Sequence, residues 1–198
     1  MANSVTVHLI RHEKTLANRE RKYIGWTDEP IVENVRGTTF LQPETVYGSD
    51  LIRCRQTAKG YFPHANFIAN KQLRELNFGD FEMYTYEQLQ HNPIYRAWID
   101  DPLKVTPPNG ESFVGFHERV VTAFKQIIVS EQKYTFIIHG GVIRVLLAKF
   151  GLEQKLFQQV LANHRTIYTL TWDSLADFKG GARCTSYSEA LITENEPM

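Results

Sequence analysis

The chain has 198 residues, is 42% hydrophobic and 22% charged, and balances 22 Lys and Arg against 22 Asp and Glu. That profile fits one globular domain, 1–198, with a real core and excludes an intrinsically disordered chain; the absence of net charge removes bulk attraction to nucleic acid or an anionic membrane. No apolar run reaches membrane-spanning length and Met1-Ala2-Asn3-Ser4 has no basic n-region, so neither a transmembrane helix nor a secretory leader is expected. Cys54 and Cys184 make no disulfide framework; reduced thiols in a cytoplasmic protein are the simplest expectation, with a single bridge left open.

Val5 to Ile10 is a β-branched, apolar run that stops at charge, which predicts a buried strand delivering Arg11 and His12 at its C-terminal end. Glu13 to Arg21 reads as a solvated helix. Gly25, Pro30, Gly37 and Pro43 punctuate a loop, with a short helix expected after Glu33. Thr45-Val46-Tyr47 is a short strand, and Gly48-Ser49-Asp50 forms a strand end and N-cap before a helix over Leu51 to Tyr61. Asn66 to Asn70 suits an edge strand.

Tyr84 to Asp101 is aromatic and amphipathic, and the prolines at 102, 107 and 108 close it, so a cap-like insertion is expected at about 84–108. Phe113, Phe116, Val120, Phe124 and Ile127 form the apolar stripe of a packed helix. Tyr134 to Ile138 is a second buried strand ending at His139-Gly140-Gly141, before a helix closed by Gly151. Thr166 to Trp172 alternates like a last strand, and the acidic end beyond Glu189 is expected to be peripheral.

Strands alternating with helices predict an α/β domain. Two strands end in a histidine, and ligands in open α/β sheets bind beyond the strands' carboxyl ends, where helix N-termini offer free N–H groups to anions. His12 and His139 are therefore expected to share one site. A lone Arg-His pair at a strand end is usually structural, so the functional reading rests on five sequence blocks occurring in order.

Leu9-Ile10-Arg11-His12-Glu13-Lys14-Thr15 with Asn18 resembles the first signature, R-H-G-E-T, of the histidine phosphatase superfamily, the phosphoglycerate mutase-like proteins. Ser49-Asp50-Leu51-Ile52-Arg53-Cys54-Arg55-Gln56-Thr57-Ala58 looks like its S-x-L-x-R-x-x-Q-T-A block, and Leu73-Arg74-Glu75-Leu76-Asn77-Phe78-Gly79-Asp80-Phe81-Glu82 like L-R-E-x-x-F-G-x-W-E. Asn109-Gly110-Glu111-Ser112 is similar to G-G-E-S, and Ile138-His139-Gly140-Gly141-Val142-Ile143-Arg144 to S-H-G-G-V-I-R. The five blocks run from about residue 5 to 150. Their short chain looks more like the alpha-ribazole phosphatase and broad-specificity phosphatase branches than the glycolytic mutases. The resemblance implies a three-layer α/β/α sandwich with a mostly parallel central sheet and a small helical insertion over the site.

The resemblance also implies chemistry, and physical reasoning agrees with it. A phosphomonoester dianion needs fixed positive charge in planar forks, which Arg11 and Arg53 can supply. Flanking cations disfavour an imidazolium, which suits His12 as the nucleophile forming a phosphohistidine. His139 would bind the equatorial oxygens, Thr15, Asn18 and the Gly140 N–H would add neutral donors, and Glu75 would hand a proton to the leaving alcohol. Glu82 and Glu111 are alternative carboxylates for that role. The set needs no metal or other cofactor, and its partner is a small phosphorylated metabolite; nucleic acid and membrane partners are not expected, and oligomeric state is not encoded legibly.

His8, His64, His91, His117 and His164 lack such context and read as core or surface histidines; His117-Glu118 starts an H-E-x-x-H pattern without its second histidine. Several positions depart from the family pattern. Glu13 stands where Gly is usual, so backbone strain and repulsion of the substrate are expected there. Met83 replaces a common Gly, and Phe81 a Trp. The leading reading is a metal-independent phosphomonoesterase. A phosphoglycerate mutase-type phosphotransferase and a phosphate-ligand binding module impaired by Glu13 are the alternatives. Tyr84, Tyr86, Tyr95 and Trp98 are candidates to pack on an organic leaving group, or simply core.

Overall fold

The computed structural model describes residues 4–35, 37 and 39–193. The first strand, β1 (Val5–Arg11), is followed by a single helical turn, α1 (Leu16–Arg19). Then come β2 (Thr45–Gly48), α2 (Ile52–Tyr61) and β3 (Asn66–Ala69). Two short helices, α3 (Tyr86–Leu89) and α4 (Pro93–Asp100), occupy the insertion, and α5 (Phe113–Ile127) leads into β4 (Lys133–Ile138). The chain continues through α6 (Gly140–Phe150), β5 (Thr166–Trp172), α7 (Leu175–Gly180) and β6 (Ser186–Leu191).

The strands form one six-stranded sheet in the order β3-β2-β4-β1-β5-β6. The first four run parallel, β5 is antiparallel to β1, and β6 is antiparallel to β5. This is the expected α/β fold with a mostly parallel sheet. Alternation along β1 sends Val5, Val7 and Leu9 into the larger core, shared with α5 and α6, and Ile10 to the opposite face, where Cys54, Ala58 and Tyr61 of α2 cover it. Phe124, Phe150, Trp172 and Phe178 interlock in that larger core at ring separations of 5.0–6.0 Å. Truncating any one of them to Ala costs about 3–5 kcal/mol. The second face turns polar toward the start of the strands, where His8 Nδ1 meets Thr169 Oγ1 at 3.0 Å and Phe40 sets its ring edge against the imidazole.

Several expectations need correction. The predicted helix over Glu13 to Arg21 contracts to α1, started by a capping box between Thr15 and Asn18, and the described residues between 33 and 43 carry no helix. No residue of the Gly48-Ser49-Asp50 segment caps the first turn of α2. Instead Asp28, from the distant loop, accepts the Ile52 N–H at 2.7 Å. β5 is not the last strand: β6 pairs along its outer edge and includes Glu189, while residues 194–198 lie outside the described residues. Pro93 starts α4 rather than breaking it, with Asn92 Oδ1 accepting the Ile94 N–H at 2.9 Å and the Tyr95 N–H at 3.2 Å. Both cysteines are free and buried.

Candidate active site

Strand order and register bring the two histidines together. β1 and β4 are neighbours, Arg11 stands opposite Ile138, and the His12 N–H donates to the Ile138 carbonyl at 2.9 Å. The next residues on both strands are His12 and His139, whose ring centroids lie 5.1 Å apart. Both are buried.

His12 has one ring nitrogen committed, and His139 has both engaged. His12 Nδ1 donates to the Glu13 carbonyl oxygen at 2.7 Å, which leaves the lone pair on Nε2. Arg53 Nε donates to His139 Nδ1 at 3.3 Å, which puts the His139 proton on Nε2, 3.7 Å from Cys54 Sγ. Burial, then the charges of Arg53 and Arg11, hold His12 well below the usual imidazole range. Burial also holds His139 well below that range, with Arg53, His12 and Arg11 adding to it. Both rings are therefore neutral near pH 7.

The two arginines are buried in different ways. Arg53 has no exposed surface, and its Nη1 and Nη2 donate to the carbonyls of Thr27 and Gly25 at 2.8 and 2.6 Å. It thus ties the loop at 25–27 to the histidine pair. Arg11 Nη1 donates to the Ala162 carbonyl at 2.8 Å, whereas its Nε is buried and makes no hydrogen bond to any described residue. The guanidinium lies against the first turn of α6: a Cβ at Gly140 would sit 3.1 Å from Arg11 Cζ. An unmatched buried donor beside a helix N-terminus suits an anion.

Glu75 is held from both ends. Its Oε2 accepts the Gly141 N–H at 2.7 Å and its Oε1 accepts the Leu76 N–H at 2.9 Å. Its carbonyl takes Trp26 Nε1–H at 3.0 Å and Arg119 Nη2–H at 2.8 Å. A Cβ at Gly141 would fall 2.1 Å from Oε1, so glycine is required for this approach. The alternative carboxylates are engaged elsewhere: Glu82 accepts the N–H groups of Trp26 and Thr27, both at 2.7 Å, and Glu111 pairs with Arg119 at 2.6 Å. Of the three, only Glu75 lines a cavity of about 340 Å³ that it shares with Arg11, Gly140 and Gly141. Trp98 alone of the four candidate aromatics lines it; Phe78, Phe113 and Phe157 complete its wall, while Tyr95 is core and Tyr84 and Tyr86 are exposed.

Thr15 and Asn18 direct their oxygens at each other's backbone N–H groups, both at 3.2 Å, as the cap of α1. Glu13 departs from expectation. It is not among the residues with positive φ, so no strain attends the missing glycine. Its carboxylate turns to the Tyr61 hydroxyl and to Arg165 Nε, 3.3 Å away. Glycine's conformational licence is instead missing at Met83, which adopts φ 66°.

Two neighbours escaped the sequence reading. His164 Nδ1 donates to the His12 carbonyl at 2.8 Å with the two rings 5.9 Å apart, and burial, helped by Arg11, lowers its pKa to about 4. Arg119 donates to the carbonyls of Gln72, Arg74 and Glu75, each at 2.8 Å, clamping the segment that carries Glu75. Neither contact has a local sequence signal, because the partners lie 44 and 152 residues away along the chain.

A family model described as histidine phosphatase superfamily (branch 1) matches residues 7–176. The chain is 30% identical over 155 residues to the adenosylcobalamin/alpha-ribazole phosphatase of Salmonella typhimurium, covering 71% of this chain and 77% of that protein. It is 25% identical over 159 residues to 2,3-bisphosphoglycerate-dependent phosphoglycerate mutase 2 of Gloeobacter violaceus, covering 70% and 72%. The structure of the alpha-ribazole phosphatase from Shigella flexneri superposes with a TM-score of 0.73 at 24% identity, covering 83% of this chain and 89% of that one, a likeness of fold. The chain belongs to the histidine phosphatase superfamily, branch 1, among the relatives of the alpha-ribazole phosphatases.

Proposed function

We propose that the protein is a metal-independent phosphomonoesterase that works through a phosphohistidine on His12. The observation that carries this reading is the buried, neutral His12, its Nδ1–H fixed on the Glu13 carbonyl, beside an Arg11 Nε that has no hydrogen-bond partner among the described residues.

In the first step the Nε2 lone pair of His12 attacks phosphorus, the bond from phosphorus to the ester oxygen breaks, and the leaving oxygen takes a proton from the Glu75 carboxyl. Each Glu75 oxygen keeps a lone pair beyond its backbone bond, so one of them can carry that proton. Positive charge developing on the imidazole is met by the Glu13 carbonyl. In the second step water gives a proton to Glu75 and attacks phosphorus, the N–P bond breaks, and His12 is restored with its original tautomer. Arg11 and the Gly140 N–H would meet the charge that spreads over the equatorial oxygens, and His139 Nε2–H would join them by exchanging its weak contact with Cys54 Sγ, 3.7 Å away, for a phosphoryl oxygen. Arg53 fixes the His139 tautomer and adds charge.

The mostly apolar wall from Phe78, Trp98, Phe113 and Phe157 favours an organic alcohol as leaving group. A mutase would instead return the phosphoryl group to an acceptor before water reaches it. Hydrolysis of p-nitrophenyl phosphate in excess chelator, compared between wild type and His12→Ala, tests the proposal. A loss of at least about a thousandfold is expected; equal rates would end it, and isomerisation of phosphoglycerate without phosphate release would replace it with the mutase.

A further inference from the structure

Arg144 is a cation in the cavity with no role in the two steps of phosphoryl transfer. It is half-buried and lines the same cavity as Arg11 and Glu75. Its Cζ lies 5.7 Å from the Phe157 ring centroid, and among the described residues it has neither a hydrogen bond nor an ion pair. A solvated arginine on an outer helix face would need no explanation. This one faces inward for a geometric reason.

On α6, Arg144 follows Gly141 by three residues and Gly140 by four, so all three lie on one helix face. That face is marked independently, because a Cβ at Gly140 would meet Arg11 and a Cβ at Gly141 would meet Glu75. Arg144 therefore stands about one helix turn, roughly 5 Å, along the axis from the first turn where phosphate would sit. The apolar side chains of Phe78, Trp98, Phe113 and Phe157 line the same cavity.

Given the phosphatase reading, on which this rests, we infer that the substrate is a phosphomonoester of a flat, apolar alcohol carrying a second oxyanion, and that Arg144 is the specificity residue that grips it. The phosphoryl group sits at Arg11 and the α6 N-terminus, and the ring lies along Trp98 and Phe157. A carboxylate at the far end meets the planar fork of Arg144, whose stacking on Phe157 holds it in orientation. A neutral ring would fill the wall but leave that charge unmatched.

The test compares naphthyl phosphate with its analogue carboxylated at the far ring, using wild type, Arg144→Gln and Arg144→Lys, each first shown to keep the wild-type thermal midpoint. Wild type should favour the carboxylated ester by about tenfold or more in kcat/KM, mainly through KM. Arg144→Gln should reduce that ratio to within about twofold of unity, and Arg144→Lys should restore part of it, since the charge remains while the fork is lost. No preference in wild type, or a preference that survives Arg144→Gln, overturns the inference while leaving the phosphatase intact. Calorimetry with the two matching naphthyl phosphonates keeps the readings separable. Tighter binding of the carboxylated phosphonate that depends on Arg144, without turnover of either ester, supports the specificity residue and removes the hydrolase; equal binding of the two overturns the specificity residue whatever the turnover.

Discussion

Arg53 Nε donates to Nδ1 of His139 at 3.3 Å, and because arginine can only donate, the imidazole must accept there and carry its proton on Nε2. The same guanidinium anchors Gly25 and Thr27, so one side chain sets the tautomer of a site histidine and the position of the loop beside it. Arg53→Lys keeps a charge but loses the fork. A fall in kcat of about a hundredfold or more is expected, with loss of fold stability from the freed loop carbonyls. Steady-state kinetics together with urea unfolding would check both, and an unchanged kcat would remove Arg53 from the site.

Glu75→Gln should separate substrates by leaving group. A good leaving group such as p-nitrophenolate departs without a proton, whereas an alkyl alcohol does not, so the variant should lose far more rate on alkyl than on nitrophenyl esters, by about a hundredfold or more. Equal losses on both would show that Glu75 positions rather than protonates. Gly141→Ala should mimic the defect, since its Cβ would fall 2.1 Å from Glu75 Oε1.

Glu13→Gly tests whether the departure from the family pattern damages the site. The Glu13 backbone is unstrained and its carboxylate is turned onto Tyr61 and Arg165. The variant should therefore gain little activity, within about threefold of wild type, and lose about 1–2 kcal/mol of stability with the buried hydrogen bonds. A large rise in turnover would mean that the native glutamate suppresses catalysis.

His8 and His164, lowered to about 4, and His12 and His139, lowered well below 6.5, are all kept neutral in the fold. For a histidine whose folded pKa is depressed, the unfolded chain binds the proton more readily. Its stabilising effect is complete above about pH 6.5 and is lost as pH falls toward the folded pKa. Unfolding midpoints in urea should be flat from pH 8 to about 7 and fall steadily from about 6.5 to 4. A flat profile through that window would show that these rings are not neutral by burial.

Met83 holds φ 66° while its N–H donates to the Tyr23 carbonyl at 2.8 Å. Met83→Gly should raise stability by about 0.5–1 kcal/mol, the relief of left-handed strain exceeding the added freedom of the unfolded chain. A lower thermal midpoint would show that the Met83 side chain contributes more by packing than its backbone costs.

The fold and the site are legible in the sequence where a local pattern coincides with a strand end. Val5 to Ile10 and Tyr134 to Ile138 announce themselves as buried strands, and each delivers a histidine, one beside an arginine and the other beside a glycine pair. Legibility fails where the decisive partner is far along the chain. Nothing near Ile52 shows that Asp28 caps its helix, and nothing near Glu13 shows that Tyr61 and Arg165 receive its carboxylate. His164 reads as an ordinary core or surface histidine because only the fold places it against the His12 carbonyl. β6 escapes because Ser186–Leu191 is an edge strand, exposed along much of its length and without an apolar stripe.

The most direct test of the account is to mix enzyme with a phosphomonoester, quench within the first turnover in alkaline denaturant, and locate the phosphoryl group by peptide mass analysis. One phosphoryl group on Nε2 of His12 is expected, lost on mild acid treatment and absent in His12→Asn. A phosphoryl group on any other side chain, or turnover with none trapped at His12 under conditions where its breakdown limits the rate, would contradict it.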